Sequence, residues 1–196
     1  MLRERASGSY QTSSYFVART IADLSIQLIA PILFSILVYP TIGYQDDAGK
    51  IFIYMIFMIL DTVAATSLAT LVSCICVSID LTTVVMSVLF EIGRLYGGFF
   101  IKPVDLSKYP QWEWADSLSY LKYVYVGVAV NEFSGLELTC TTEEISNGAC
   151  KFTDGEQVME TFGYDIYSVG FCVGTLIIYI ICCRFIAYIA LRFIKG

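Results

Sequence analysis

The chain has 196 residues, of which 57% are hydrophobic and only 15% charged, with a mean hydropathy of +0.68. That balance excludes an ordinary soluble domain and points to an all-α integral membrane protein. At about 20 residues per crossing, the length accommodates about four spanning helices and one modest loop, with no room for a large soluble domain. The formal charge of −6 is local: residues 102–165 hold eleven Asp and Glu against four Lys and no Arg, so it describes a loop and gives no sign of nucleic acid binding.

The chain opens on RERASGSYQTSSYF, polar and without the apolar core and small-residue cleavage site of a secretory signal. The first apolar stretch covers 15–39. Its charge-free part, LSIQLIAPILFSILVY, has 16 residues, so the span has to include Arg19 and Asp23, whose i, i+4 spacing lets them pair on one helix face. Pro31 sits within that span and predicts a kink.

The link PTIGYQDDAGK leads to a second span at 51–74, and Asp80 is expected to mark the bend into a third at 81–101. That third span ends in YGGFFIKP, where two glycines and a proline disfavour continued helix. Residues 102–165 form the large loop. Its segment YPQWEWADSLSYLKYVYVGVAVNEFSGLEL mixes aromatic, apolar and charged residues, which predicts short interfacial helices capping the outer membrane face. The last span is expected at 166–191. Arg3, Arg5 and Arg19 flank the first span and Arg184, Arg192 and Lys195 the last, which places both termini in the cytoplasm and the acidic loop outside.

Cys140 and Cys150 are the loop's two cysteines, and an external location permits a disulfide between them; two free thiols are the alternative. The other five cysteines lie in or beside the spans. With no histidine in the chain, Cys74-x-Cys76 and Cys182-Cys183 read as packed or lipid-facing thiols rather than a metal site. GRLYG and GFCVG carry the small-xxx-small spacing of close helix packing, expected here within one subunit.

No phosphate-binding GxxxxGK[ST] loop and no glycine-rich dinucleotide turn occurs, so no enzymatic activity is assigned to the chain itself. The chemistry that remains is charge placed at membrane depth, which costs roughly 2.5–3.5 kcal/mol per group at mid-bilayer and so turns toward protein or water. Asp61, Glu91 and Arg94 qualify. Glu91 and Arg94 stand i, i+3 in LFEIGRLYGGFF, and the group reads either as the wall of a polar cavity or as an ion pair that fixes packing.

Taken in order, RERASGSYQTSSYFVARTIADL, then GGFFIKP, PQWEW, SYLKYVYVG and NEFSGLEL, the chain resembles the transmembrane domain of G-subfamily (White and pleiotropic-drug-resistance type) ABC transporters of the ABC-2 exporter class. That resemblance implies a translocation path for a lipid, sterol or amphipathic small molecule, formed by a homo- or heterodimer in the lipid bilayer, with the plasma membrane as the expected location. It implies that ATP and Mg bind a nucleotide-binding domain that this chain does not contain, and that the four spans are the third to sixth of six. By the same resemblance the chain is a partial half-transporter or a truncated gene product.

Residue by residue, Arg3, Glu4, Arg5, Gly8 and Tyr10 fall on the element, within a cytoplasmic connecting helix at 1–14, that couples ATPase movement to the spans. Ser87, Glu91 and Arg94 fall on the cavity-lining helix. Phe99 and Phe100 fall on a bulky pair that plugs the exit, ordinary packing at a helix end being the alternative. The Cys140–Cys150 pair matches the family's loop disulfide only loosely. A four-span, tetraspanin-like scaffold without transport activity has the same topology, but lacks both the RERxxGxY opening and, in reverse, brings a Cys-Cys-Gly element not present here.

Overall fold

The computed structural model describes residues 12–76, 78–101, 117–139 and 152–193, with the side chains of 12–16 and 19 left aside. Among the described residues the architecture is helical throughout. In chain order it consists of α1 (Thr12–Gln27), α2 (Ile29–Ile42), α3 (Ala48–Ile75), α4 (Ile79–Leu95), α5 (Tyr120–Phe133), α6 (Gly155–Phe162) and α7 (Val169–Phe193). The coupling residues Arg3, Glu4, Arg5, Gly8 and Tyr10 lie outside the described part, as does the Arg19 side chain.

The first span is made of two helices. α1 stops at Gln27 and α2 begins at Ile29, with Leu28 as a turn between them. The cause is the proline foreseen as a kink: Pro31 offers no N–H to the Gln27 carbonyl, so the ladder opens one turn before it. Beyond the break, Pro31, Ser35 and Tyr39 are buried against α3, and the Ser35 hydroxyl returns to the Pro31 carbonyl at 2.7 Å.

α3 is the long axis of the bundle, 28 residues or about 42 Å at 1.5 Å per residue. Asp47 caps its start by accepting from the Gly49 amide at 2.9 Å. Further along, Thr62, Ser67 and Thr70 each donate to the carbonyl four residues back, at 2.9, 2.6 and 2.7 Å, which keeps hydroxyls satisfied without water.

Among the described residues, three helical stretches are long and apolar enough to cross a membrane: Thr20–Ile42, Ala48–Ile75 and Val169–Phe193. The third expected span differs. α4 has 17 residues, about 26 Å, because it starts at Ile79 behind the Ser78 cap and ends at Leu95, where Gly98 takes a left-handed φ of +88°. Asp80 accordingly occupies the first turn of α4 rather than the bend.

Within the loop segment expected to cap the membrane surface, α5 packs between α3 and α7 and also touches α4 and α6. Val126 is fully buried, and Tyr120, Tyr123, Val124 and Ala129 join it in the main core with Phe57, Ala64, Cys172 and Leu176. The sequence YVYVGVAV is apolar on every side, and a helix of that kind packs inside rather than along an interface. Gly127 sits against the Phe57 ring so closely that a Cβ there would overlap it.

At its start α5 reaches deep into the bundle. Tyr120 stacks on Tyr179, about ten residues into α7, at 5.4 Å between ring centroids, and Ser119 Oγ donates to the Gly93 carbonyl at 2.8 Å. At its end α5 is tied to the link 43–47: the Gln45 amide donates to Glu132 Oε1 at 2.8 Å and Gln45 Nε2 to the Glu132 carbonyl at 2.6 Å. Lys50 Nζ donates to the Ser134 carbonyl at 2.6 Å and Asn131 Nδ2 to the Lys50 carbonyl at 3.1 Å.

Cys140 and Cys150 lie outside the described residues, and the expected disulfide gains no support; none of the five described cysteines is in a disulfide. The two glycine motifs separate. Gly93 of GRLYG meets a Leu121 methyl at 3.4 Å, whereas Gly170 and Gly174 of GFCVG face nothing within 4 Å among the described residues.

Candidate substrate cavity

Asp61, at the middle of α3, and Arg94, in the last turn of α4, line a common space together with residues of α5, which packs on both helices. The resulting cavity of about 310 Å³ is lined by Asp61, Arg94 and Phe99, the aromatic residues Tyr44, Tyr54 and Tyr125, and apolar residues of α3 and α5 that include Met58 and Val128. Three of the residues singled out from sequence therefore share one cavity, although they come from three different segments. Ser87, Glu91 and Phe100 are not among its lining residues.

The electrostatics of this cavity are uneven. Arg94 Nη2 donates to Glu91 Oε2 at 2.7 Å, and both side chains are about two-thirds exposed, 65% and 67%. Intrahelical pairing was one of the two alternatives, and the pair indeed forms; its exposure means that it does not serve as a buried packing lock. Asp61 is different: its Oδ1 is shut off from solvent and has no hydrogen-bond partner among the described residues. At the rim, burial and then the Glu132 carboxylate push the Tyr44 phenol up from its ordinary value, which keeps it a protonated donor.

Phe99 and Phe100 stand edge to face at 5.1 Å, and Phe99 meets the Tyr125 ring at 6.0 Å. They are 65% and 60% exposed. Ser87 is exposed on α4 with its hydroxyl returned to the Thr83 carbonyl at 2.9 Å. A second cleft of about 370 Å³, between α3, α4 and α7, is lined by Leu68, Leu89, Ile92, Tyr179 and Ile186 among others and contains no charged residue.

Two charged residues of α5 were not foreseen as buried. Lys122 is 2% exposed with its ammonium 4.9 Å from the Tyr167 ring centroid, and Glu132 is 9% exposed within the tie to Gln45. Their only sequence signal is position, a charge at each end of an otherwise apolar segment, which is where a buried helix anchors itself. Tyr164, 2% exposed, closes this side by donating its hydroxyl to the Gly98 carbonyl at 3.0 Å.

Comparison with known proteins agrees with this picture. The family described as ABC-2 type transporter matches residues 1–133. Similar proteins include Protein white of Ceratitis capitata, 31% identical over 97% of this chain, and ABC transporter G family member 1 of Dictyostelium discoideum, 29% identical over 97%. A third is the ABC transporter ATP-binding protein/permease wht-1 of Caenorhabditis elegans, 31% identical over 97% of this chain. The chain spans 28%, 24% and 29% of the lengths of these three relatives, that is, about a quarter. A helical membrane domain whose matched segment runs from its first residue through α5 is thus accounted for: the chain belongs to the ABC-2 type transporter family.

Proposed function

We propose that the chain forms the membrane-spanning part of an ATP-driven exporter of lipids, sterols or amphipathic small molecules, working as a homo- or heterodimer with both termini in the cytoplasm, in the plasma membrane. ATP and Mg act on nucleotide-binding domains carried outside these 196 residues. The observation that carries this reading is the polar and aromatic surface left open on and beyond α4, a helix expected from its sequence to lie in the membrane: Glu91 and Arg94 are about two-thirds exposed, and Phe99 and Phe100 nearly so. Charges in that position turn toward protein or a water-filled path rather than toward lipid. A partner's matching surface supplies both.

In this reading Ser87, Glu91 and Arg94 wall the path, Phe99 and Phe100 close its exit, and Arg3, Glu4, Arg5, Gly8 and Tyr10 receive the ATPase movement. The test is co-expression with an ATPase-bearing half-transporter in vesicles, followed by ATP-dependent export of a fluorescent amphiphile. The double variants E91A/R94A and F99A/F100A are expected to change export, the first by slowing it and the second by uncoupling it from ATP. Unchanged export in both, at equal membrane abundance, removes these residues from the path.

A further inference from the structure

The cavity between α3, α4 and α5 has a recognition chemistry of its own. Asp61 supplies its one carboxylate, and Oδ1 is sealed from solvent without a hydrogen-bond donor among the described residues. A carboxylate in that setting is costly unless a partner donates to it. Arg94, the one cation in the lining, already has a carboxylate partner, its guanidinium being engaged by Glu91 at 2.7 Å. The carboxylate of the lining that is left without a donor at Oδ1 is therefore that of Asp61.

The walls favour the same class of ligand. Tyr44, Tyr54, Tyr125 and Phe99 surround the space with rings, whose faces attract cations and accept apolar carbon alike. A volume of about 310 Å³ suits a head group and its first carbons rather than a whole lipid. We infer that this cavity binds the protonated amine of an amphipathic small molecule, the ammonium donating to the Asp61 carboxylate and the adjoining carbons lying against Tyr54 and Tyr125. The site is complete within one subunit. It deepens the exporter reading by naming a ligand class, yet its binding step needs neither a partner nor ATP.

The test uses the full chain in phosphatidylcholine nanodiscs with a fluorescent lipophilic amine as the bound probe and dodecylamine, dodecanol and dodecyl sulfate as competitors. Dodecylamine is expected to displace the probe, and the other two to fail. Asp61→Asn is expected to weaken amine binding by about tenfold or more, the loss of one charge-assisted hydrogen bond, and Asp61→Glu to retain most of it. Tyr125→Leu provides a second variant that leaves the carboxylate in place, with a smaller loss expected. Equal amine affinity in Asp61→Asn, or displacement by dodecanol or dodecyl sulfate as effective as by dodecylamine, overturns the inference. That result would leave the export test of E91A/R94A untouched, while unchanged export there would leave amine binding at Asp61 standing.

Discussion

Gly127 of α5 faces α3 directly, with the Phe57 ring occupying the space a side chain would need. Gly127→Val therefore forces either the ring or the helix to move, and overpacking of this kind costs about 1–3 kcal/mol. A fall in the thermal unfolding midpoint of the chain in detergent is expected, and partial recovery in G127V/F57L would locate the clash. Glu132 acts differently, since it satisfies the Gln45 backbone amide at 2.8 Å. In Glu132→Ala that donor loses its partner at a cost of about 1–3 kcal/mol. The expected readout is faster hydrogen exchange confined to residues 43–50, with the rest of α3 unchanged. Neither role could be read from sequence: glycine is common in membrane helices, and Gln45 and Glu132 meet only because the intervening chain folds back.

At the scale of elements, hydropathy located the spans within a few residues, at 51–74 against Ala48–Ile75 and at 166–191 against Val169–Phe193. What it leaves open at α5 has a physical cause. Fourteen residues are too few for a crossing, and the flanking Trp and Tyr residues look the same whether a helix lies on the membrane or is inserted among spans. What distinguishes the two is the absence of a polar face, visible in YVYVGVAV but outweighed by the charged residues around it. Inserted α5 predicts slow amide exchange across Val124–Ala129, on the time scale of α3, whereas a surface helix would exchange with the loops. The candidate site was legible in part for a similar reason. Asp61 and Arg94 stand out as charges in apolar runs, but the Tyr44, Tyr54 and Tyr125 rings that share their cavity are ordinary interfacial residues until the helices are assembled.

Across the whole molecule the two halves are tied by different means. Near the break and toward the Thr12 end, Arg184 of α7 donates to Ser67 of α3 at 2.9 Å and reaches Thr20 of α1 at 3.4 Å. Arg184→Met keeps most of the apolar stem but removes both bonds, leaving the fully buried Ser67 hydroxyl with its Val63 bond alone. A loss of about 1–3 kcal/mol is expected from thermal unfolding, with amine binding at the Asp61 cavity retained because α5 and the opposite halves of α3 and α4 are unaffected. At the other end, α5, its tie to Gln45 and the Tyr164 bond to Gly98 hold the bundle together.

The break at Leu28 gives this arrangement a mechanical meaning. α2 is seated on α3 through Pro31, Ser35 and Tyr39, whereas α1 meets its neighbours mainly through exposed positions and the long Arg184 contact. One backbone bond is missing at Pro31, while Leu28 keeps helical dihedrals and the Leu28 and Ile32 amides bridge the step to the Leu24 and Leu28 carbonyls at 3.2 and 3.4 Å, so the two segments stay in one continuous span with a softened joint. Pro31→Ala would restore that bond and stiffen the span, so that more of a tilt at α1 would be passed through α2 to the link that holds α5 in place.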